Sequence, residues 1–304
     1  MLAEQRRVDV HQHLWPRPLL DALRARNRPP MLRGWTLHTS GEPPFDVDPA
    51  DHDPATRAAL ETGSHRVLLS LSTPLGIERL APDDAAPLLE AWHAGVAELP
   101  LPFAGWAAVT ETDPDLDGLE KLFGSGFVGL QVSATSIAAP ADLDAAAPAL
   151  RVCERLGKPV LVHPGPVAEP QPTAPAWWAA VVDYPAQLQA AWWSWYVAGR
   201  RLFPDLRICF AAGAGLAPVQ HERFAARSGT RRTVDPDTFV EVSSYRRQAI
   251  DALSRALGID VLVLGSDRPY AEPVELSQLS LGAAAQAAVG VVNPTRLLDG
   301  GVAA

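Results

Sequence analysis

The chain has 304 residues, and its 26 Lys plus Arg against 35 Asp plus Glu leave a formal charge of −9. A moderately acidic chain has no sequence-wide field for nucleic acid or anionic lipid, so neither is expected as a partner. Hydrophobic residues at 47% and charged residues at 20% exclude wholesale disorder, and no apolar run reaches the roughly 18 residues of a membrane span.

In chain order, the first short apolar run predicts a strand over Val8–His13. Seven more follow at Arg66–Ser72, Phe103–Val109, Phe127–Ser133, Pro159–His163, Leu206–Ala211, Phe239–Ser243 and Val261–Ser266. Runs such as RVLLSLS and DVLVLGS are almost continuously apolar, as in strands buried on both faces. Helical patterns lie between them at Asp83–Leu99, Leu116–Phe123, Ala141–Leu156, Pro185–Phe203, Pro218–Arg227 and Tyr245–Leu257, and the tail Leu276–Leu298 reads as closing helices.

Strand alternating with helix implies parallel pairing through right-handed crossovers. Eight such units predict an α/β fold, a (β/α)₈ TIM barrel, as a single domain over 1–304. An open doubly wound sheet would carry a glycine-rich phosphate loop after its first strand. Neither GxGxxG nor GxxxxGK[ST] follows His13. Two connections are long, Leu14–His65 after strand one and Pro164–Asp205 after strand five, and both leave the face where barrel active sites are built. Trp15, Trp35, Trp177 and Trp178 on these insertions are candidate pocket-lining residues, whereas Trp192 and Trp195 read as helix packing.

Only Lys121 and Lys158 are lysine and only Asn27 and Asn293 are asparagine, while Ala, Pro, Gly and Arg abound. That bias makes the 29 prolines weak evidence for a Pro-rich module. Cys153 and Cys209 are the only cysteines, too few for a disulfide framework or a thiolate metal cage. The start, MLAEQRRVDVHQH, lacks an apolar leader core, so a cytoplasmic protein is expected.

The chemistry concentrates at strand ends. His11 and His13 lie two apart on a strand, hence on one face with α-carbons roughly 6.5–7 Å apart. Two imidazoles so placed can converge on one metal at about 2.0–2.1 Å per bond. His163 ends the fifth strand and Asp267 follows the eighth, so three strands deliver ligand types to one rim. Three nitrogens and one carboxylate suit a divalent cation, Zn²⁺ first, with Mn²⁺, Fe²⁺ or Co²⁺ also suited. Arg268 can hold a substrate carboxylate or pair with a neighbouring acid. Glu241 reads as outward-facing and paired. His221, Glu222 and Arg223 read as an ordinary helix face, and His38, His52, His65 and His93 as surface.

At these residues the sequence resembles the amidohydrolase-related family of metal-dependent barrels, in the branch that includes aminocarboxymuconate-semialdehyde decarboxylase. The motifs are VDVHQHLWP at Val8–Pro16, VLVHPG at Val160–Gly165, LFPDLRICFAAGAGLAP at Leu202–Pro218, VLGSDRPY at Val263–Tyr270 and VVNPTRLL at Val291–Leu298. The resemblance implies that His11, His13, His163 and Asp267 are metal ligands. It also implies a histidine ending strand six, and there the chain has Ala212.

The expected function is a metal-dependent hydrolase in which Asp267 is catalytic, accepting a proton from water that attacks an ester, lactone or amide of a small, carboxylate-bearing substrate. That chemistry does not need the missing histidine. The alternatives are a non-oxidative carboxy-lyase and a ligand-binding barrel that has lost catalysis through Ala212. A homodimer is carried only by fold-level analogy.

Overall fold

The computed structural model describes residues 7–168, 173–230, 233–278 and 281–301. Residues 1–6, where the absence of a leader was read, lie outside that set, as do parts of the second insertion (169–172) and of the tail (279–280).

The eight barrel strands are Arg7–Gln12, Ser64–Leu69, Phe103–Gly105, Leu130–Ser133, Val160–His163, Ile208–Phe210, Thr238–Glu241 and Leu262–Val263. Strands one to three form one parallel sheet and strands four to eight another, each in sequential order. Backbone bonds join the two sheets at both seams. Between strands three and four, Ala107 bridges Leu130, with Ala107 N–H donating to Gly129 and Gln131 N–H to Ala107. Between eight and one, Val10 N–H donates to Leu264 at 2.9 Å and Asp267 N–H to His11 at 2.9 Å. The sheet therefore closes, as a (β/α)₈ barrel requires.

Inside the barrel Val8, Val10, Leu68, Trp106, Leu161, Cys209, Phe239 and Val263 form one apolar cluster, with Leu297 from the last helix (Asn293–Asp299). A second, larger cluster fills the layer between strands and helices. Trp192 and Trp195 are buried in that layer. The helix expected over Pro185–Phe203 is a helix over Tyr184–Ser194, a π-helical turn over Trp195–Gly199 and a last turn over Arg200–Leu202.

The first insertion folds into more than a loop. It holds a helix, Arg17–Ala25, and an antiparallel sheet of Met31–Arg33, Thr36–His38 and Phe45–Asp46. A short helix over Pro54–Ala59 follows, its start capped by the Asp53 side chain.

Candidate metal centre

Side-chain parity explains how strand one serves both the core and the rim. Asp9 pairs with Val67 but Gln12 pairs with Leu69, three residues against two, which is a β-bulge. Below it Val8 and Val10 join the interior cluster. Above it the parity flips, and His11 and His13 meet His163 instead. His163 follows Leu161 on the interior face of strand five, and Asp267 follows Val263 and Gly265 from strand eight. Asp267 is in the left-handed region (φ 58°), which Asp tolerates better than most residues.

His11, His13, His163 and Asp267 come together, their ligand atoms all within 4.8 Å of one another. The three imidazoles are mutually edge-on, with centroids 4.9, 4.9 and 5.0 Å apart. His11 Nε2 lies 3.1 Å from His13 Nε2, and Asp267 Oδ1 lies 3.2 Å from His13 Nε2 and 3.7 Å from His11 Nε2. At about 2.0–2.1 Å per metal–nitrogen bond, neighbouring ligands of one ion sit on the order of 3 Å apart.

The opposite ring nitrogens settle the tautomers. His13 Nδ1 faces the Ser70 carbonyl and His163 Nδ1 the Pro164 carbonyl, each at 2.9 Å. A carbonyl only accepts, so Nδ1 carries the proton and Nε2 presents its lone pair to the centre. His11 Nδ1 donates in the same way to Glu241 Oε2 at 3.1 Å.

Burial sets the charges. It lowers the pKa of His13, and that of His163 well below the ordinary range with help from the other two imidazoles. His11 is also pushed down by burial, but the Glu241 hydrogen bond and nearby carboxylates outweigh this and hold it above its ordinary value. For Asp267 burial pushes upward, and the three histidines overcome it and keep the carboxyl below the usual range. Neutral His13 and His163 beside an ionised Asp267, with His11 giving up its Nε2 proton as the ion binds, are a donor set that fits one divalent cation.

Glu241 corrects the sequence reading. It is fully buried and inward, not outward-facing. Besides His11, it accepts from Ser243 Oγ at 2.8 Å, from Ser243 N–H and from Ala212 N–H at 3.0 Å. Its signal was parity, because Glu241 is two residues beyond the interior Phe239. At Ala212, where the resemblance implies a histidine, the backbone enters five successive left-handed residues, 212–216.

The remaining candidates divide. Arg268 is engaged by Glu61 (Nη1 to Oε1, 2.8 Å), the ion pair weighed against carboxylate binding. Trp15 is buried, stacks on His52 and donates from Nε1 to Ser72 Oγ at 3.0 Å, itself 3.1 Å from His13 Nδ1. Trp35 is half-buried under the Arg24 guanidinium. Trp177 is 56% exposed beside Trp178. The aromatic ring beside the ligands is Tyr270, 5.3 Å from the His13 ring, with Phe45 beyond it. His52, expected at the surface, is buried, and burial lowers its pKa to about 3. His221 is also buried, among Trp192, Trp193 and Tyr196, accepting from Trp192 Nε1 at 3.2 Å, and it is not one of the clustered ligands.

The barrel and its histidine–aspartate rim define a class of metal-dependent enzymes. The chain belongs to the amidohydrolase family, whose model matches residues 8–300. A curated relative, the 2-amino-3-carboxymuconate-6-semialdehyde decarboxylase of Dictyostelium discoideum, is 26% identical over 193 residues, 58% of this chain and 53% of the relative. This chain thus matches about half the length of that relative. Among solved structures, the IDCase of Metarhizium anisopliae in apo form superimposes with a TM-score of 0.74 at 18% identity, covering 98% of both chains. The 5-carboxyvanillate decarboxylase of Novosphingobium aromaticivorans, complexed with manganese and 4-hydroxy-3-methoxy-5-nitrobenzoic acid, gives 0.71 at 16% identity, over 97% of this chain and 96% of that one. These likenesses show the fold. Among the described residues no helix is long and apolar enough to cross a membrane.

Proposed function

We propose that this chain is a non-oxidative carboxy-lyase that removes CO₂ from a small carboxylate-bearing substrate. The observation that carries the reading is the three-histidine, one-aspartate cluster, the one such group among the described residues, in a barrel whose curated relative and several solved neighbours are named as decarboxylases. A divalent cation held by His11, His13, His163 and Asp267 would supply Lewis acidity toward a substrate oxygen. Zn²⁺ is the first choice for this donor set and Mn²⁺ also suits it, so metal identity is part of the proposal.

The chain's own groups supply orientation and proton traffic. Asp267 Oδ1 faces the imidazoles, while Oδ2 lies toward Ser244 Oγ at 3.5 Å. Held ionised, this carboxylate takes a proton before it gives one. It accepts a proton from water, leaving hydroxide, and returns that proton to the substrate carbon as the carbon–carboxylate bond breaks and its electron pair passes to the carbon. The CO₂ released and the hydroxide together make bicarbonate. Tyr270 forms an aromatic side of the site against His13.

Ala212 favours a second reading, hydrolysis of an ester, lactone or amide, because Asp267 alone can take the proton from water. Incubating the metal-loaded protein with a panel of small unsaturated acids, lactones and esters separates the two. Metal-dependent CO₂ release, reduced by about 10²-fold or more in Asp267→Asn, is expected. Hydrolysis without CO₂ would overturn the carboxy-lyase in favour of the hydrolase.

A further inference from the structure

The first insertion reaches beneath the ligand cluster as well as beside it. From its short helix, Pro54–Ala59, Arg57 runs fully buried against strand one. Arg57 Nη1 donates to the carbonyls of His13 (2.7 Å) and Asp51 (2.8 Å), and Nη2 donates to Gln12 Oε1 at 2.6 Å. Gln12 Nε2 in turn donates to Glu61 Oε1 at 2.9 Å and Asp9 Oδ2 at 2.8 Å. Asp9 Oδ1 accepts from the N–H of His11 (3.2 Å) and of Ser266 (3.1 Å). Glu61 Oε1 also takes Arg268 Nη1, and the Arg268 carbonyl accepts the His13 N–H at 2.7 Å.

Two arginines and two acids thus close a buried circuit. Such circuits are seldom more stabilising than well-packed apolar residues of the same volume, so stability is a weak account of this one. What it touches is specific. It holds the backbone of His11, both backbone polar groups of His13, and the residues on either side of Asp267. These belong to three of the four clustered ligands.

We propose that Arg57 is a positioning residue of the metal centre, so that docking of the first insertion sets metal affinity. This rests on reading the four clustered residues as a metal site. A ligand set displaced by a fraction of an ångström binds its ion less well, and outer partners of metal ligands carry effects of about 10–100-fold on affinity. Arg57 does this through three donor contacts from one planar fork, which a lysine cannot reproduce.

The test titrates chelator-stripped, full-length protein with Co²⁺, reading affinity and the visible absorption of the bound ion. Wild type should bind one equivalent. Arg57→Met should bind about 10-fold more weakly or worse with a changed absorption band, and Arg57→Lys should fall between. Far-UV circular dichroism should be preserved in both. Folded Arg57→Met or Arg57→Lys protein with wild-type affinity and spectrum would overturn the inference. Should Arg57→Met not fold, Arg268→Met, which cuts the guanidinium's links to Glu61 and the Leu60 carbonyl and keeps the backbone bond to His13, must still weaken Co²⁺ binding several-fold, and an unchanged affinity there overturns it too. Failure of wild type to take up Co²⁺ would overturn the centre itself, and this inference with it.

Discussion

One carboxylate on strand seven holds a ligand on strand one. Glu241 accepts the Nδ1 proton of His11 and thereby keeps Nε2 facing the other ligands. Glu241→Gln would turn an amide toward the donors Ser243 and Ala212. Metal affinity should then fall by about 10–100-fold, as measured by competition with a chromophoric chelator. A second buried acid serves as a pH probe. Burial raises Glu78 to about 8, with Gln131 Nε2 on Oε1 at 2.6 Å and Oε2 lacking a hydrogen-bond partner. The folded chain keeps this proton where the unfolded chain, titrating near 4.5, has lost it. This stability is therefore fully present below about pH 4.5 and is lost as pH rises through about 8. Glu78→Gln, which keeps the acceptor and cannot ionise, should gain in melting temperature over wild type, more at pH 8 than at pH 5. A gap that does not vary with pH would reject that account. At this scale the sequence made the four clustered residues legible, because they lie at or just beyond strand ends. The partners Glu241 and Arg57 were hidden, since a residue flanked by apolar neighbours and an arginine on a short helix inside a long insertion do not reveal which group they meet across the fold.

At the scale of elements, the two insertions meet beside the rim. The Gly41 backbone is so close to Val167 that an added Cβ would lie 1.9 Å from the Val167 carbonyl oxygen. Next to it the Tyr184 hydroxyl donates to Glu42 Oε1 at 2.6 Å. Gly41→Ala must push the segments apart, at a typical overpacking cost of about 1–3 kcal/mol. The expected result is a lower denaturation midpoint and faster proteolytic cleavage within residues 39–44, and wild-type behaviour in both assays would contradict the crossing. All eight barrel strands were legible because strands buried on both faces are runs of apolar residues. The small antiparallel sheet was not, since strands of two or three residues in a Pro-rich stretch are shorter than any periodicity. The bulge in strand one was hidden for a related reason. It reverses the alternation midway, so Val8 and Val10 and then His11 and His13 point inward although the two pairs differ in parity.

Over the whole molecule, the ligand set spans a division in the barrel. His11 and His13 belong to the three-stranded sheet, while His163 ends a strand of the five-stranded sheet and Asp267 follows its last strand. Besides the backbone bonds of the two seams, side-chain bonds such as His11–Glu241, Asp9–Ser266 and Ser70–Gln131 join the sheets, and the rim adds the four clustered residues. A divalent ion bound there would cross-link them and would bind the folded chain far better than the unfolded one. At a free metal concentration of 100 times the dissociation constant this linkage contributes about 2.7 kcal/mol. For a chain of this size each kcal/mol moves the melting temperature by about 2–4 °C. Chelation should therefore lower the midpoint by about 5–10 °C, with re-addition of Zn²⁺ or Mn²⁺ restoring it. His163→Ala, assayed at a metal concentration that saturates the variant, isolates what the strand-five ligand adds to the cross-link. It removes the five-stranded sheet's interior ligand and leaves His11, His13 and Asp267 in place. If bridging stabilises the barrel, this variant should lose most of the metal-dependent shift. Hydrogen exchange at the seam amides Val10 and Asp267 should then become insensitive to metal. A full shift in His163→Ala would show instead that the ion stabilises the barrel through the seam of strands one and eight alone, with nothing contributed by strand five.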